Sequence, residues 1–438
     1  MIPVRDPIER VVLVAAPRKG SPDARHVEEH LEELTRLVDT AGAEVVGRIS
    51  QHIASPNPGT LIGEGKVEEV AEEVAASDAS LVIFDEELSP VQGVNLERQL
   101  KVRVMDRAEV ILDIFSTRAR SHEAKLQVEL AQLEYLLPRL TRMWTHLSRI
   151  RGGIGLRGPG ETQLETDRRI IRRKIQGLKA KLKDVEKHRE NLRAGRDPML
   201  SVALVGYTNA GKSSILRGLS GQHEIVVEDR LFATLDTLTR EVELGEGQRA
   251  RVTDTVGFIR KLPHHLVASF RATLEEAREA NVLLHVVDAS HHDWEGQLKV
   301  VEKVLAELGL ADRPILLVFN KIDAVADAAG FTRRIRELYP TAIITSTMRT
   351  DGLAPLKTRL RELDRAGRVS VKVRVPLSEG ARLAELYREG EVLSREQVGE
   401  CYELLVRLEP GTFDRLRQHG LAVIDEPAER VRLRRASG

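Results

Sequence analysis

The sequence predicts a multidomain α/β protein in which a helical hairpin joins a parallel α/β domain to a second α/β domain, and a small α+β domain follows them. Three observations support this fold class. Strand-like and helix-like segments alternate over residues 10–117 and again over residues 200–363. Two long amphipathic stretches lie between these regions, and a length of 438 residues suits about three domains of ordinary size.

The expected domains follow one another along the chain. We place an N-terminal α/β domain over residues 1–118, a basic helical hairpin over residues 119–197, a second α/β domain over residues 198–366 and a small α+β domain over residues 367–438. The dipeptide Asp197-Pro198 separates the hairpin from the second α/β domain, because proline ends a helix.

The composition is that of a soluble globular protein, with 42% hydrophobic and 31% charged residues. Aromatic residues make up only 3%, which argues against a nucleic-acid platform built on stacked rings. The single cysteine, Cys401, excludes an internal disulfide framework and fits a reducing compartment. No apolar run is long enough to span a bilayer, and the N-terminus lacks the pattern of a signal peptide. We therefore expect a cytoplasmic monomer without a membrane span.

The N-terminal domain is predicted from short apolar strands that alternate with amphipathic helices, a pattern typical of a parallel sheet. The strands are Val11–Ala15, Val45–Ile49, Leu81–Phe84 and Val102–Met105, and the helices are His26–Thr40, Gly65–Ala76 and Pro90–Leu100. The turn Gly63-Glu-Gly65-Lys66 opens one of these helices. Such a turn could hold an anion at the helix N-terminus, but its glycines more often only shape the turn.

The hairpin is predicted from two heptad-like seams. Leucines recur at steps of four, three and four from Leu126 to Leu137, and aliphatic residues recur similarly from Ile171 to Leu192. Residues 138–196 contain 17 Lys and Arg against 6 Asp and Glu, whereas the rest of the chain contains 50 against 61. The basic residues fall off the seams, so they form either a solvated helix face or an arm that binds a polyanion.

The segment that connects the two hairpin helices is rich in glycine and arginine. It spans residues 149–160 and includes Arg149, Arg151 and Arg157, and its stretch 153–158 matches the dinucleotide-binding fingerprint. That fingerprint requires a preceding strand, and the flanking pattern here is helical. We therefore expect the loop to press its backbone and its three arginines against phosphates.

A phosphate-binding loop follows the apolar strand Ser201–Val205. The segment Gly206-Tyr-Thr-Asn-Ala-Gly211-Lys212-Ser213 leads directly into a helix, which is the setting that this motif requires. Its glycines let backbone N–H groups face phosphate oxygens. We expect Lys212 to reach the β- and γ-phosphates and the Ser213 hydroxyl to ligate Mg²⁺.

Further motifs along the chain narrow the nucleotide to guanine. Asp254-Thr-Val-Gly257 supplies a carboxylate that can hold Mg²⁺ through water and a glycine N–H that can sense the γ-phosphate. In Asn320-Lys321-Ile322-Asp323, the last carboxylate can accept two hydrogen bonds from guanine that adenine cannot supply. Ser346 lies where backbone groups can meet the guanine O6. The order of these motifs within one α/β unit identifies a GTPase fold.

The segment Phe232-Ala233-Thr234-Leu235-Asp236 lies between the first two motifs and is predicted to be a switch. Thr234 would complete the Mg²⁺ shell when the γ-phosphate is present, and loss of that phosphate would release the loop. The residue after Gly257 is Phe258, whose ring cannot orient water. The catalytic group therefore stays open, with Thr234 and Gly257 as candidates, and the nearby His264 and His265 are typical of surface histidines.

The chain resembles the HflX family of translation-associated GTPases in motifs that span roughly residues 55–325. In the GTPase region these are GYTNAGKSS, LFATLD, DTVGFI, LPHHLVASFRATLEEA and NKID, and outside it they are TLIGEGKVEE, RARSHEAKLQVELAQLEYLLPRL and GPGETQLETDRR. The resemblance implies binding of GTP and GDP, hydrolysis of GTP, and binding to the large ribosomal subunit and its RNA. It also implies action on stalled or idle ribosomes, including their separation into subunits.

The same resemblance implies a set of ligand contacts. It places magnesium on Ser213 and Thr234 and a potassium ion on Asn209. It places the nucleotide on Gly206, Tyr207, Thr208, Asn209, Ala210, Gly211, Lys212, Ser213, Phe232, Ala233, Thr234, Leu235, Asp236, Asp254, Thr255, Val256, Gly257, Asn320, Lys321, Ile322, Asp323, Ser346, Thr347 and Met348.

Two other functions stay open at this point. The protein could be an RNA-remodelling enzyme driven by ATP or GTP whose second nucleotide site lies in the N-terminal domain, where the sequence offers only the turn at residues 63–66. It could also be a GTP-gated binding module without catalysis, because Phe258 replaces the usual water-orienting residue.

Overall fold

The computed structural model describes residues 8–140, 159–193, 199–221, 230–245, 248–262, 275–408 and 410–425. By their contacts these residues fall into two compact units. The described part of the first unit comprises residues 8–140, 159–190, 230–236 and 259–262, and the second unit contains the remainder. Two short segments of the GTPase motif region therefore belong to the first unit.

The first unit is built on a parallel sheet of four strands. Its elements are β1 (Arg10–Ala15), α1 (Val27–Ala41), β2 (Glu44–Ser50), α2 (Glu64–Ser77), β3 (Leu81–Phe84), α3 (Pro90–Leu100), β4 (Arg103–Asp106), α4 (Arg107–Arg118), α5 (His122–Leu136) and α6 (Pro159–Arg193). The strand order is β2-β1-β3-β4. Residues 11–14 of β1 are fully buried, as expected for a central strand with helices on both faces of the sheet.

Helices α5 and α6 form the predicted hairpin. Leu126 and Leu130 of α5 pack with Ile175 and Leu178 of α6, so the two heptad-like seams meet as expected. Helix α6 begins at Pro159, whereas the sequence pattern predicts that residues 159 and 160 lie in the connecting loop. The physical reason is that proline is well suited to the first helical turn, where its missing N–H would have no intrahelical partner.

The second unit contains a sheet of six strands in the region of the nucleotide motifs. Its elements are β5 (Leu200–Gly206), α7 (Lys212–Ser220), β6 (Leu238–Gly245), β7 (Gln248–Asp254), α8 (Glu275–Glu279), β8 (Val282–Asp288), α9 (Trp294–Glu307), β9 (Ile315–Asn320), α10 (Ala328–Leu338), β10 (Ile343–Ile344) and α11 (Ala354–Gly367). The strand order is β10-β9-β8-β5-β7-β6, and only β6 is antiparallel to its neighbour. The carboxyl ends of the parallel strands therefore lie at one edge, where ligands bind in such sheets.

The C-terminal part of the second unit has a separate antiparallel sheet. Its elements are β11 (Val369–Pro376), α12 (Gly380–Glu389), β12 (Glu391–Val398), β13 (Cys401–Leu408), α13 (Pro410–Gln418) and β14 (Ala422–Asp425). The order β12-β13-β11-β14 is that of a split β-α-β-β-α-β fold. Val373 and Leu404 lie on the buried face and pack with Leu386 and Phe413 of the helices.

The architecture confirms the predicted fold class, which comprises a parallel α/β sheet, a helical hairpin, a second α/β sheet and a small α+β part. Strand β3 and helix α3 have the predicted bounds, and the other elements predicted for the N-terminal domain shift by one residue at one or both ends. No helix in the described ranges is long and apolar enough to cross a membrane.

Candidate nucleotide site

The loop between β5 and α7 is shaped by two glycines that no other residue could replace without displacing a neighbour. Gly206 has a φ of +152°, and a Cβ there would lie 2.3 Å from the carbonyl oxygen of Val286. Gly211 has a φ of +93°, and a Cβ there would lie 2.3 Å from Nδ2 of Asn320. The loop thus needs glycine for both conformation and space. This is the strand–loop–helix setting that the sequence predicts.

Lys212 is the first residue of α7, and its side chain is folded back over the loop. Its Nζ donates to the carbonyl oxygens of Tyr207 at 2.8 Å and Gly206 at 3.2 Å. Burial lowers the pKa of Lys212 to about 8, while the nearby Asp254 carboxylate opposes that shift. The ammonium group is therefore held inside the loop by carbonyl acceptors, at the position where this motif presents a lysine to phosphate.

Two side-chain oxygen atoms that could bind a metal ion meet beside the phosphate-binding loop. The Ser213 hydroxyl donates to Oδ2 of Asp254 at 2.6 Å, which joins the start of α7 to the end of β7. A hydroxyl and a carboxylate are hard oxygen ligands, and Mg²⁺ in nucleotide sites is commonly held by few protein ligands of this kind. The chemistry of this pair therefore fits a magnesium ion.

Backbone hydrogen bonds join residues 254–258 to the phosphate-binding loop. The N–H of Thr208 donates to the carbonyl oxygen of Phe258 at 2.7 Å, and the N–H of Phe258 donates to that of Gly206 at 3.0 Å. A Cβ on Gly257 would lie 2.6 Å from the Cα of Thr208 and 3.0 Å from Nζ of Lys212. Only a glycine allows this approach. Phe258 is 1% exposed, so its ring belongs to the core and its backbone forms the link.

Residues 320–323 (NKID) hold the phosphate-binding loop in place through side-chain hydrogen bonds. Asn320 is fully buried, and its Nδ2 donates to the carbonyl oxygen of Ala210 at 3.1 Å. The hydroxyl of Thr345 donates to Oδ1 of Asn320 at 3.3 Å. Lys321 has a φ of +62°, and its Nζ lies 2.7 Å from Oδ2 of Asp288 at the end of β8. The segment is thereby fixed to three neighbouring parts of the sheet edge.

Asp323, the predicted guanine acceptor, is exposed and oriented by a serine. The Ser346 hydroxyl donates to its Oδ1 at 2.5 Å, and the N–H groups of Met348 and Arg349 donate to that hydroxyl, both at 3.2 Å. Ser346 is 1% exposed and Met348 is 80% exposed. The carboxylate is thus held on one side and keeps acceptor capacity on the other.

The predicted switch segment lies in the first unit. The ring of Phe232 meets that of Phe115 edge to face at 4.6 Å between centroids. The carboxylate of Asp236 accepts N–H groups at the start of α5. Ala233, Thr234 and Leu235 lie between these two contacts in the sequence, so the segment as a whole packs within the first unit.

Several contacts escaped the sequence analysis. These are the pairs Ser346–Asp323, Asn320–Ala210 and Lys321–Asp288, each between residues far apart in the chain. The buried residue His285 was also not predicted. It interrupts the apolar strand β8 and is 1% exposed. Burial lowers its pKa to about 3, so the ring is neutral. A histidine within an otherwise apolar strand is the sequence signal by which this buried polar residue could have been found.

Other predicted residues are placed differently or not described. Arg149, Arg151, Arg157, His264 and His265 lie outside the described residues. In the turn at residues 63–66, Lys66 pairs with Glu69 at 2.5 Å on the surface of α2. That lysine does not fold back over a loop as Lys212 does.

Comparison with known proteins gives three family matches along the chain. The model described as GTP-binding GTPase N-terminal matches residues 28–116. The model described as GTP-binding GTPase Middle Region matches residues 118–196, and the model described as 50S ribosome-binding GTPase matches residues 201–321. The matches follow the N-terminal sheet, the hairpin and the nucleotide motifs in order.

Relatives of high identity extend over nearly the whole chain. A GTPase HflX of Lacrimispora saccharolytica is 45% identical over 90% of this chain and 92% of its own length. A GTPase HflX of Escherichia coli is 44% identical over 91% of this chain and 94% of its own length. A crystal structure of a GTP-binding protein from Sulfolobus solfataricus with GDP covers 82% of this chain and 99% of its own, at 25% identity and a TM-score of 0.43. On the strength of the sequence relatives, the chain belongs to the HflX family of GTPases.

Proposed function

We propose that this GTPase uses its nucleotide state to control binding to the large ribosomal subunit, and that it separates or rescues stalled or idle ribosomes. The observation that carries the proposal is the basic outer face of α6, presented by a chain whose nucleotide motifs match a 50S ribosome-binding GTPase model. Ribosomal RNA is a dense polyanion, and a basic helix face is the type of surface that binds its phosphates.

The charge on α6 is arranged for an external partner. Arg169, Arg172, Arg173, Lys183 and Lys187 are all exposed. Successive helical residues differ by about 100° around the axis, which puts these five side chains on the side away from the seam with α5. By contrast, other lysines of α6 are paired within the hairpin with glutamates of α5, as the 2.5 and 2.8 Å contacts show. The five exposed side chains favour the polyanion-binding interpretation over a merely solvated face.

Within the nucleotide site we propose the roles that the motifs predict. Lys212 would neutralise the β- and γ-phosphates, and Asp323 would select guanine. Ser213 and Thr234 would hold magnesium, which would supply charge neutralisation between the phosphates, and Asn209 would hold potassium. Thr234 and the Gly257 N–H would sense the γ-phosphate.

The experiment is co-sedimentation of the full-length protein with purified large ribosomal subunits, in GDP and in a non-hydrolysable GTP analogue. We expect stronger binding with the analogue, and many-fold faster steady-state GTP hydrolysis when subunits are added. The double variant Arg172→Glu, Lys183→Glu should weaken binding and make its salt dependence shallower, because fewer counterions are released.

A matched control is available on the surface of the second unit. Arg333 and Arg336 are exposed on α10, so Arg333→Glu, Arg336→Glu makes the same charge change on a helix outside the hairpin. We expect the control to bind as the natural protein does. Equal losses in both double variants would mean that total charge, and not the hairpin, governs binding. Failure of the natural protein to sediment with large subunits in either nucleotide would contradict the proposal.

A further inference from the structure

We propose that the first unit contains a latch through which the bound nucleotide controls the basic hairpin. The latch consists of residues 231–236 and 259–261, which dock on helix α5 and on the N-terminal sheet. We assign the docked arrangement to the GDP form. The inference rests on the proposed function, because that function makes Thr234 and Gly257 the sensors of the γ-phosphate.

The first anchor of the latch is Asp236 at the N-terminus of α5. Its Oδ2 accepts the N–H groups of Arg120 at 3.0 Å and Ser121 at 3.2 Å, and the Ser121 hydroxyl also donates to this carboxylate. Ser121 is itself the N-cap residue of α5. The first N–H groups of a helix have no intrahelical partner and carry partial positive charge, so a carboxylate is stabilised there. Asp236 is therefore tied directly to one helix of the hairpin.

The opposite end of α5 is fixed to the N-terminal sheet by Arg139. Its Nη2 donates to the carbonyl oxygen of Leu88 at 2.9 Å and lies 3.2 Å from the buried carboxylate of Asp106. The guanidinium also stacks over the ring of Tyr135, at 3.4 Å from its centroid. Helix α5 is thus held at one end by the sheet and at the other by the latch, so release of Asp236 would free only the latch end.

The second anchor is Lys261, which reaches an acidic edge of the N-terminal sheet. Its Nζ contacts the carboxylate of Asp85 and lies 3.1 Å from Oε1 of Glu86. Asp85 is 1% exposed and is also bonded to Arg107 at 2.7 Å. Because Asp85 keeps Arg107 when Lys261 leaves, the second anchor can open without leaving this buried carboxylate unpaired.

Both anchoring segments carry a strained residue. Phe232 has a φ of +55° and Lys261 a φ of +53°, and non-glycine residues rarely adopt this left-handed conformation. The ring of Phe232 is 1% exposed and packs on Phe115. The docked arrangement therefore holds strain in both anchoring segments, and its contacts offset that strain. Strain balanced in this way is typical of segments that switch between two arrangements.

The anchors are joined to the proposed phosphate sensors by very short stretches of chain. Asp236 follows Thr234 by two residues, and Lys261 follows Gly257 by four. Two extended residues span at most about 7 Å, so Thr234 cannot move farther than that from Asp236 without pulling Asp236 from its contacts. Since coupling is reciprocal, a ligand that moves α5 must also change the relative affinity for GTP and GDP.

The first test measures hydrogen exchange of the full-length protein with GDP and with a non-hydrolysable GTP analogue. We expect the Arg120 and Ser121 amides to exchange about tenfold faster with the analogue, because Asp236 no longer accepts them. The Gly330 amide, which donates to Asp327 at 2.9 Å at the start of α10, is a matched capped amide outside the latch and should not change. Equal rates for Arg120 and Ser121 in the two nucleotides would overturn the latch.

The second test removes the Lys261 charge with Lys261→Met and measures affinities for GDP and the analogue. We expect the ratio to shift about fivefold in favour of the analogue. Arg260→Met removes a guanidinium nitrogen that lies 3.2 Å from Nε2 of His30. This variant should shift the affinity ratio in the same direction, and it replaces Lys261→Met if that variant folds poorly. Lys372→Met removes a lysine paired at 2.8 Å with Glu403 in the C-terminal sheet and should leave the ratio unchanged.

The outcomes separate the latch from the ribosome role. A shift toward GDP, or none, in the Lys261 and Arg260 variants would overturn the latch. Loss of co-sedimentation with large subunits while the exchange difference persists would overturn the ribosome role and support the latch. Normal co-sedimentation with equal exchange rates would overturn the latch alone.

Discussion

In each of the two α/β sheets, one strand is followed by a helix that has glycine and lysine at its start, yet the two lysines have different surroundings. Lys66 lies in the first turn of α2 and pairs with the exposed Glu69. Lys212 opens α7, is 6% exposed and donates to two carbonyl oxygens of the preceding loop. The first turn of α2 also contains Glu64, whereas that of α7 contains no acidic residue.

The comparison shows that the letters of a motif matter less than the backbone around them. A phosphate site needs uncompensated N–H groups and a lysine that is held toward them. In α7 the loop glycines allow the close approach, and Asn320 braces the loop through Ala210. In α2 the lysine is already neutralised and a carboxylate stands at the helix start, so an anion is not favoured there.

Lys212→Ala is expected to weaken nucleotide binding more than any other change considered for this loop. Removal of the lysine that we assign to the phosphates should weaken GDP and GTP binding by about a hundredfold or more, because a charge-assisted contact in a buried loop would be lost. Calorimetry or fluorescence titration with a labelled guanine nucleotide measures this. Lys66→Ala is the matched control and should change the affinity by less than about twofold. Comparable losses in both variants would contradict the different roles of the two lysines and favour a second nucleotide site in the N-terminal domain.

A similar contrast holds between two carboxylates near strand ends. Asp85 follows β3, is buried, and is bonded to Arg107 and Lys261. Asp323 follows β9, is exposed, and is held only on one oxygen by Ser346 among the described contacts. The first carboxylate is satisfied within the protein, whereas the second keeps acceptor capacity for a ligand.

Asp323→Asn is the next largest expected effect. In this variant an NH₂ group replaces one carboxylate oxygen, so a hydrogen-bond donor would face the N–H donors of guanine. Guanine affinity should therefore fall by roughly a hundredfold without a gain for adenine nucleotides. Competition titrations with GDP and ADP measure this. Asp85→Asn should instead lower the free energy of unfolding, by about 3 kcal/mol, because it disrupts a buried ion pair. Retention of guanine preference by Asp323→Asn would contradict the assigned base contact.

The motifs of the nucleotide site could be read from the sequence because each is contiguous and sits at a strand end. The spacing from Gly206 to Ser213 predicts both the loop and the helix that follows it, and the structure has both. What could not be read are the contacts that fix these motifs to one another. Ser346 and Asp323 are 23 residues apart, and Lys261 and Asp85 are 176 residues apart. No local periodicity reports such pairs.

Helix α4 illustrates a second limit of the sequence pattern. Its residues Ala108, Val110, Ile111, Leu112, Ile114 and Phe115 are all buried. A helix that is apolar on most sides lacks the amphipathic period by which surface helices are found. The pattern of α5 and α6, by contrast, has a narrow apolar seam, and the predicted pairing of Leu126 and Leu130 with α6 is present.

The smallest effect concerns the pH dependence of nucleotide binding and returns to the two lysines. Burial lowers the pKa of Lys212 to about 8, so the free protein loses this proton as the pH rises through that value. Phosphate favours the charged lysine, so binding above pH 8 must take up a proton. GDP affinity should therefore fall as the pH rises from about 7.5 to 9, by up to about eightfold.

Titrations of GDP at several pH values measure this slope, and Lys212→Arg is the control. Arginine stays charged throughout this range, so the slope should flatten in that variant even if its affinity is lower overall. The window ends near pH 9 because guanine itself loses a proton in more alkaline solution. Lys66→Ala should keep the slope of the natural protein, since Lys66 is paired on the surface of α2. The same slope in the Lys212→Arg variant would mean that another group takes up the proton and that the buried lysine is not the phosphate partner.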